Sequence, residues 1–567
     1  MARRRLVPVT PFAVRHEAGK CGIIRDMEKK RVIRVPTTGV FDFERLITDE
    51  TKKYVDKTDL LYELARDKTD AQLFISRPRR FGKSLMLSTL KAMFEGRRDL
   101  FKGLAIDKLP WEGWERPTPV YSFTMSSATG STYELFMEQL AKLVRGLCAE
   151  ADVPRSEQEY APGQFEDFLK AAAAKSPTKK VVVLIDEYDE PVAKFLNDIE
   201  TLNKVRSVLH DFYEKLKINS GSIRFLMMTG VTKLTKLSVF SGLNHLTDLS
   251  MDPRFATLLG YTPAELDGPL RENVEKFGAK NGMDFAGAKN ALLTWYDGYR
   301  FSPDSKEKVC NPVSLGMALK DGKLKGYWET TGRATLIINR IDKAGKNPED
   351  LENVRASKMT LDVCDAETLP MTALLYQGGY LTIKDVIPPP TGEDGIPAES
   401  ESYILAPPNH EVRTALKNGY ISQIMGLSEE SYEPLVDRAK RQIREGDWKG
   451  YLCESLYGLY AAVPPDWRIK DEAEAKRYFQ MFASMTGANP QPEVASMFGY
   501  ADAVIETTEN IFVFEFKYRR SAKAAIRQIR ERGYADKWIG GPRPVTLIGI
   551  NFNPKKRNID MPVVESA

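Results

Sequence analysis

The chain has 567 residues, 42% hydrophobic and 28% charged; at roughly 150 residues per domain this is a multi-domain globular protein, not a disordered one. Its 82 Lys and Arg against 78 Asp and Glu leave a net charge of +4, too little for bulk charge to argue a nucleic-acid partner. Five scattered cysteines (Cys21, Cys148, Cys310, Cys364, Cys453) form no C-x-x-C pair, which argues against a zinc knuckle and suits a reducing cytoplasm.

Residues 1–34 hold ten basic residues against three acidic ones. They read as a loosely ordered arm over 1–39, either a solvated tail or an electrostatic arm for nucleic acid. No apolar h-region follows Arg3–Arg5, so no secretory signal is expected, and no apolar run is long enough to span a membrane. Leu60, Leu61 and Leu64 have helical spacing. Leu73-Phe74-Ile75 reads as a strand, Arg/Gly-rich residues follow, and Leu85, Leu87, Leu90 and Met93 mark a helix. Val181–Ile185 and Phe225–Met228 are continuous apolar strands of the kind buried in parallel sheets. An α/β domain is therefore expected over 40–250. Residues 251–440 are mainly helical in pattern, broken at Pro388-Pro389-Pro390, with Ser402–Leu405 expected as an edge strand. From 441 to 567 the chain reads as a small αβ unit. Tyr478–Met485 is helical, Ala501–Glu506 and Ile511–Lys517 are strands joined by a turn at Thr508-Glu509-Asn510, Ser521–Arg532 is helical and Val545–Ile550 is a buried strand.

Between the first strand and its helix, Arg77-Pro78-Arg79-Arg80-Phe81-Gly82-Lys83-Ser84 matches G-x-x-x-x-G-K-[ST] everywhere except the first position, where Arg77 stands. Such a loop turns backbone N–H groups and a helix N-terminus toward phosphate. Gly82 permits close approach, Lys83 reaches the β- and γ-phosphates, and Ser84 holds Mg²⁺. The Arg77 guanidinium could add a phosphate contact. Asp186-Glu187 close the strand Val181–Ile185, as the other half of such a site requires: Asp186 would hold Mg²⁺ through water and Glu187 would polarise the attacking water.

These segments resemble a known family, the bacterial AAA-ATPase-like proteins. The resemblance is carried by Tyr54-Val55-Asp56-Lys57-Thr58, Arg77–Ser84, Leu184–Asp189, Thr229-Gly230-Val231-Thr232-Lys233, Phe240–Asn244, Trp295–Phe301 and Tyr376–Leu381, over about 40–385. It implies a P-loop ATPase with a helical lid and a winged-helix-like region, a missing first glycine as a usual feature, and ATP with Mg²⁺ as cofactors. It places Arg77, Arg80, Gly82, Lys83, Ser84, Asp186 and Thr229 at the nucleotide, with Thr229 as a polar sensor. Arg300 is a candidate lid arginine or an ordinary salt-bridge residue.

In the last unit, residues two apart on a strand share a face, so Glu515 and Lys517 point together, opposite Phe512, Phe514 and Phe516 on what reads as a half-buried strand. A hairpin would let Asp502 join them. Asp502 and Glu515 could then hold a hard cation, and Lys517 could act on water or on the phosphate. E-x-K alone is a weak signal. This stretch resembles the PD-(D/E)XK nuclease superfamily over roughly 450–550. Gly499–Asp502 corresponds to its first acidic motif and Phe514–Lys517 to its second. The resemblance implies a restriction-endonuclease-like fold, makes Gln528 the polar residue of the following helix, and suggests Glu493 as a further metal-side acid. Glu472 and Glu474 lie nearby without an assigned place. Lys517, Arg519, Arg520, Lys523, Arg527, Arg530, Arg532 and Lys537 crowd one segment, either a phosphate-backbone surface or a solvated basic face.

The four histidines do not cluster, which argues against a histidine metal site or a Ser/His/Asp triad. The tryptophans Trp295, Trp328, Trp448 and Trp467 and the cysteines read as core residues. The expectation is an α/β ATPase with a Mg²⁺-dependent nuclease at its carboxyl end, cytoplasmic, acting on nucleic acid and DNA first, with no membrane and a homo-oligomer compatible. By analogy of such fusions it would serve defence against foreign DNA or mobile-element processing. The alternative is a non-catalytic, nucleotide-gated DNA-binding or scaffold protein.

Overall fold

The computed structural model describes residues 34–36, 39, 41–66, 72–196, 198–233, 245–328, 334–344, 346–362, 370–389, 400–464, 466, 469–488, 490–496 and 498–567. The basic arm up to residue 33, the Phe240–Asn244 motif, Cys21, Cys364, Pro390 and Trp467 lie outside these residues.

A short parallel pair, β1 (Val35–Pro36) and β2 (Lys52–Lys53), precedes the first main sheet. That sheet comprises β3 (Gln72–Ser76), β4 (Val120–Thr124), β5 (Val181–Asp186), β6 (Ile223–Gly230) and β7 (Thr247–Asp248), all parallel, in the order β4-β5-β6-β3-β7. β5 and β6 are buried almost throughout because helices cover both faces, as their unbroken apolar runs require. Helix Lys83–Phe94 packs on one face, and helices Tyr133–Ala151, Ala161–Lys175 and Ile199–Ile218 build the core of the other. The order places β3 and β5 on either side of β6, so the loops after all three strands meet at one edge.

Helices then dominate up to residue 462, interrupted by β8 (Val354–Ser357), β9 (Thr382–Ile387) and β10 (Ser402–Ala406). β10 pairs with both others and is central, which corrects its expected edge position. Helices Ala334–Lys343, Lys358–Asp362 and Met371–Gln377 are threaded with these strands in the order helix, β8, helix, helix, β9, β10. This is the arrangement of a winged helix.

The C-terminal sheet runs β11 (Gln491–Ser496), β12 (Gly499–Glu506), β13 (Ile511–Tyr518), β14 (Val545–Asn553), β15 (Asn558–Ile559), with β16 (Val563–Ser566) also on β14. β12 and β13 form the expected hairpin, and β13 and β14 are parallel across helix Ala522–Glu531. β13 is buried on both faces, not one as expected. Helix Ala522–Glu531 covers one side, while Phe479 of helix Glu472–Thr486 packs at 4.8 and 5.0 Å on Phe514 and Phe516 on the other. The same apolar cluster continues through the helices of 429–462 to the winged helix and the first sheet. Arg477 also pairs with Asp342 at 2.5 Å.

Candidate functional site

Two sites stand out, one at the carboxyl edge of each sheet. At the first, the chain leaves β3 through Arg77–Phe81 and enters helix Lys83–Phe94 at Gly82, whose φ of 92° suits glycine. Lys83 is 7% exposed, and its Nζ donates to the carbonyls of Arg77 at 2.9 Å and Pro78 at 3.0 Å. Burial pulls its pKa down to about 8, against the charges of Asp186, Asp189 and Glu187. Asp186 accepts from the hydroxyls of both Ser84 and Thr229, and from the N–H of Glu187 at 3.0 Å. Glu187 has a left-handed backbone (φ 50°) and accepts from Thr124 at 3.3 Å. The hydroxyl and carboxylate suited to Mg²⁺ are thus already paired, and the chemistry of this donor set fits the ion.

Arg77 departs from expectation. Its side chain is 1% exposed, donates to the carbonyls of Ser76 (2.9 Å), Ser250 (2.8 Å) and Phe255 (3.3 Å), and lies 4.1 Å over the Phe301 ring. The guanidinium is held in the interior, so what Arg77 offers the loop is its carbonyl. Arg80 (φ 67°) donates to the carbonyl of Tyr327 at 2.8 Å. Arg300 donates to the carbonyls of Ser302, Pro303 and Ser305 at 3.1, 2.6 and 2.6 Å and forms no ion pair among the described residues. Sequence reasoning missed a largely apolar pocket beside Gly82, walled by Tyr54, Val55, Leu259, Tyr261 and Val313. It also missed Asp189, which is buried and anchors the loop after β6 by accepting from Thr232 N–H (2.9 Å) and hydroxyl (2.6 Å).

The second site forms where β12 and β13 part. Their ladder ends at Ala503 opposite Phe514, and the next free N–H, that of Phe516, donates to the Asp502 carboxylate at 2.7 Å. Asp502 thereby stands beside Glu515, which is 2% exposed and receives Lys517 Nζ at 2.8 Å. Burial and then the Asp502 charge push the Glu515 carboxyl up to about 7, against the pull of Lys517. Glu515 Oε2 is buried with no hydrogen-bond partner. Such an atom is costly unless something charged faces it, and with the neighbouring carboxylates it fits a divalent cation.

Glu472, unplaced from sequence, joins the cluster: it lies 3.5 Å from Lys517 Nζ and accepts from Tyr518 N–H at 3.1 Å. Its signal was an acid at the start of the preceding helix. Glu474 instead accepts from Lys470 N–H, just before the Asp471 cap of that helix. Lys476, unmarked by any motif, reaches Asp502. Glu493 sits at a break in the β11 register, φ 48°, between the pairs flanking Asp502, with its side chain exposed. Gln528 donates to the Tyr534 hydroxyl at 3.2 Å. No hydrogen bond among the described residues joins either to the cluster.

Residues 37–240 match the family model described as Predicted AAA-ATPase, and 470–561 match the PD-(D/E)XK nuclease superfamily. A relative from Azotobacter chroococcum mcd 1, described as an uncharacterized protein in the vnfD 5' region, is 29% identical over 543 residues, covering 93% of this chain and 98% of its own. No solved structure matches. Among the described residues, no helix is long and apolar enough to cross a membrane.

Proposed function

We propose that this chain, which joins an AAA-ATPase-like region to a PD-(D/E)XK superfamily region, is an ATP-hydrolysing, Mg²⁺-dependent nuclease that cleaves DNA in the cytoplasm. The observation that carries the nuclease reading is the buried, partnerless Glu515 Oε2 beside Asp502, Glu472 and Lys517. A buried unpaired carboxylate oxygen has no structural use, and the alternative reading of Glu515–Lys517 as a plain ion pair leaves it unexplained.

Asp502 and Glu515, with Glu472, would hold the ion, whose charge lowers the pKa of bound water and offsets charge on the phosphate. Lys517, fixed by Glu515, is placed to face the developing negative charge of the scissile phosphate. In the ATPase region, Lys83 would leave its two carbonyls for the β- and γ-phosphates, Ser84 and Asp186 would hold Mg²⁺, and Glu187 would orient water. Thr229, bonded to Asp186, ties the β6 loop to the same carboxylate. A role in defence against foreign DNA rests on the analogy of such fusions alone.

The test is cleavage of labelled DNA in Mg²⁺ and Mn²⁺. Asp502→Ala and Glu515→Ala should lose cleavage and metal affinity together. Lys517→Ala should keep metal binding while cleavage drops about a hundredfold or more. Unchanged cleavage in both Asp502→Ala and Lys517→Ala leaves the non-catalytic scaffold as the function. Glu187→Gln should bind ATP and hydrolyse it slowly; hydrolysis at the parental rate refutes its role.

A further inference from the structure

A cavity of about 1100 Å³ opens at the carboxyl ends of the parallel strands β13 and β14, immediately beyond Lys517. Five cations line it from three separate segments: Lys470 before helix Glu472–Thr486, Arg519 and Arg520 after β13, and Lys555 and Arg557 after β14. Only Arg519 and Arg520 belong to the basic run visible in the sequence. All five are exposed, and none takes part in an ion pair among the described residues. Asp560, which fixes Asn551 at 2.7 Å and Asn553 at 3.2 Å, forms its ion pair with Lys556, whose side chain is outside the cavity lining. The mouth adjoins the carboxylate cluster directly, since Tyr518, in the cavity wall, donates its N–H to Glu472. The Tyr518 ring stacks on Phe552 with centroids 5.9 Å apart, and the Arg519 guanidinium lies 5.2 Å over it.

Five like charges brought together with no ion pair of their own among the described residues repel one another. A polyanion resolves it. At about 1100 Å³ the cavity lies just above the usual ligand-pocket range of about 300–1,000 Å³, and its cations face a recess, not a flat surface. Cations that converge from separate segments on one recess, and so can track a flexible backbone, are a feature of single-strand sites.

We propose that this cavity binds a single-stranded nucleic-acid segment contiguous with the phosphate presented to Asp502, Glu515 and Lys517, so that the substrate is a strand end, overhang or unpaired stretch. This rests on the nuclease reading above and adds the form of its substrate. The experiment is fluorescence anisotropy of the full chain with labelled single-stranded and blunt duplex oligonucleotides in Ca²⁺ over a salt series, beside Mn²⁺ calorimetry. Parental protein should prefer the single strand. Arg520→Glu/Lys555→Glu should weaken single-strand binding at least tenfold and reduce its salt slope by about 1.4, two phosphate contacts at about 0.7 each, while Mn²⁺ affinity is kept. A second pair, Lys470→Glu/Arg557→Glu, should do the same with two different side chains and covers misfolding of the first. Unchanged single-strand affinity in both pairs, or a parental preference for blunt duplex, overturns the proposal while the nuclease reading stands. Failure of the parental protein to bind or cleave any nucleic acid overturns both.

Discussion

Lys476 Nζ lies 2.9 Å from Asp502 Oδ1, so a lysine one helical turn beyond Glu472 pairs with a carboxylate of the C-terminal cluster. Burial works against this ammonium, but the charge and hydrogen bond of Asp502 outweigh it and hold its pKa above the ordinary lysine value. A cation at that distance competes with a divalent ion for the same oxygen. Lys476→Met should therefore tighten Mn²⁺ binding by about tenfold, or ~1.4 kcal/mol, read by calorimetry. Weaker binding instead would make Lys476 the group that holds Asp502 in position.

The raised pKa of Glu515 gives a pH dependence with a definite sign. Its folded value, about 7, exceeds the ordinary 4.5, so the folded protein holds this proton more tightly than the unfolded chain does. The stability it contributes is present below the unfolded value and is lost as pH rises through about 7. Glu515→Gln removes the titration, so its Tm should gain on the parental Tm between about pH 5 and pH 8. Metal needs the ionised form, so parental Mn²⁺ affinity should climb over the same range with release of a proton, seen by calorimetry in buffers of different ionisation enthalpy. Parallel Tm curves for the two proteins would show that Glu515 is ionised throughout.

Lys83 behaves in the opposite sense. Burial lowers it to about 8, so the folded protein disfavours the ammonium, and the penalty fades as pH rises from about 8 toward the ordinary lysine value. Phosphate restores the charge. ATP affinity should fall about tenfold per unit above that pKa, with proton uptake on binding. Lys83→Met should be more heat-stable than the parent near neutral pH, and unable to turn over ATP. An ATP affinity independent of pH between about 7 and 9 would place the lysine pKa outside that range.

β3, β5 and β6 of the first sheet, β12, β13 and β14 of the C-terminal sheet and the helix after Gly82 were legible because each carries a local pattern: Val181–Ile185 has no polar residue to misread, and Gly82-Lys83-Ser84 sits where a strand becomes a helix. By contrast, β4, β7, β11, β15 and β16 were not read. What failed was whatever depended on a distant partner. The short segment Ser402–Leu405 cannot announce that β8, some fifty residues earlier, pairs with its second edge. Arg77 looks like a phosphate ligand by position, yet the carbonyls of Ser250 and Phe255, remote in sequence, draw its guanidinium inward. Glu515 and Lys517 were placed on one face correctly, but the cover supplied by helix Ala522–Glu531 buries that face too. Glu472 and Lys476 join the cluster through contacts with Lys517 and Asp502, residues 45 and 26 positions later, a pairing that the helix's own sequence does not announce.

Gly379 sits at the turn from helix Met371–Gln377 into β9 of the winged helix. Its φ is +82°, and a Cβ there would fall 2.7 Å from both Cβ and Cγ of Pro78 in the phosphate loop. Two costs are therefore mixed in Gly379→Ala, the left-handed backbone and the collision. Gly103 separates them: its φ is +81° and a Cβ would meet nothing within 4 Å. Gly103→Ala should cost about 1 kcal/mol from backbone strain, with nucleotide binding intact. Gly379→Ala should cost a further ~1–3 kcal/mol from overpacking. It should also weaken nucleotide binding, because Pro78 can yield only by moving the loop whose carbonyls hold Lys83. The measurements are Tm and the Kd of a fluorescent ATP analogue for the two variants. Equal nucleotide affinity in both would mean that the phosphate loop absorbs the displacement, and that the winged helix does not constrain the nucleotide site through Pro78.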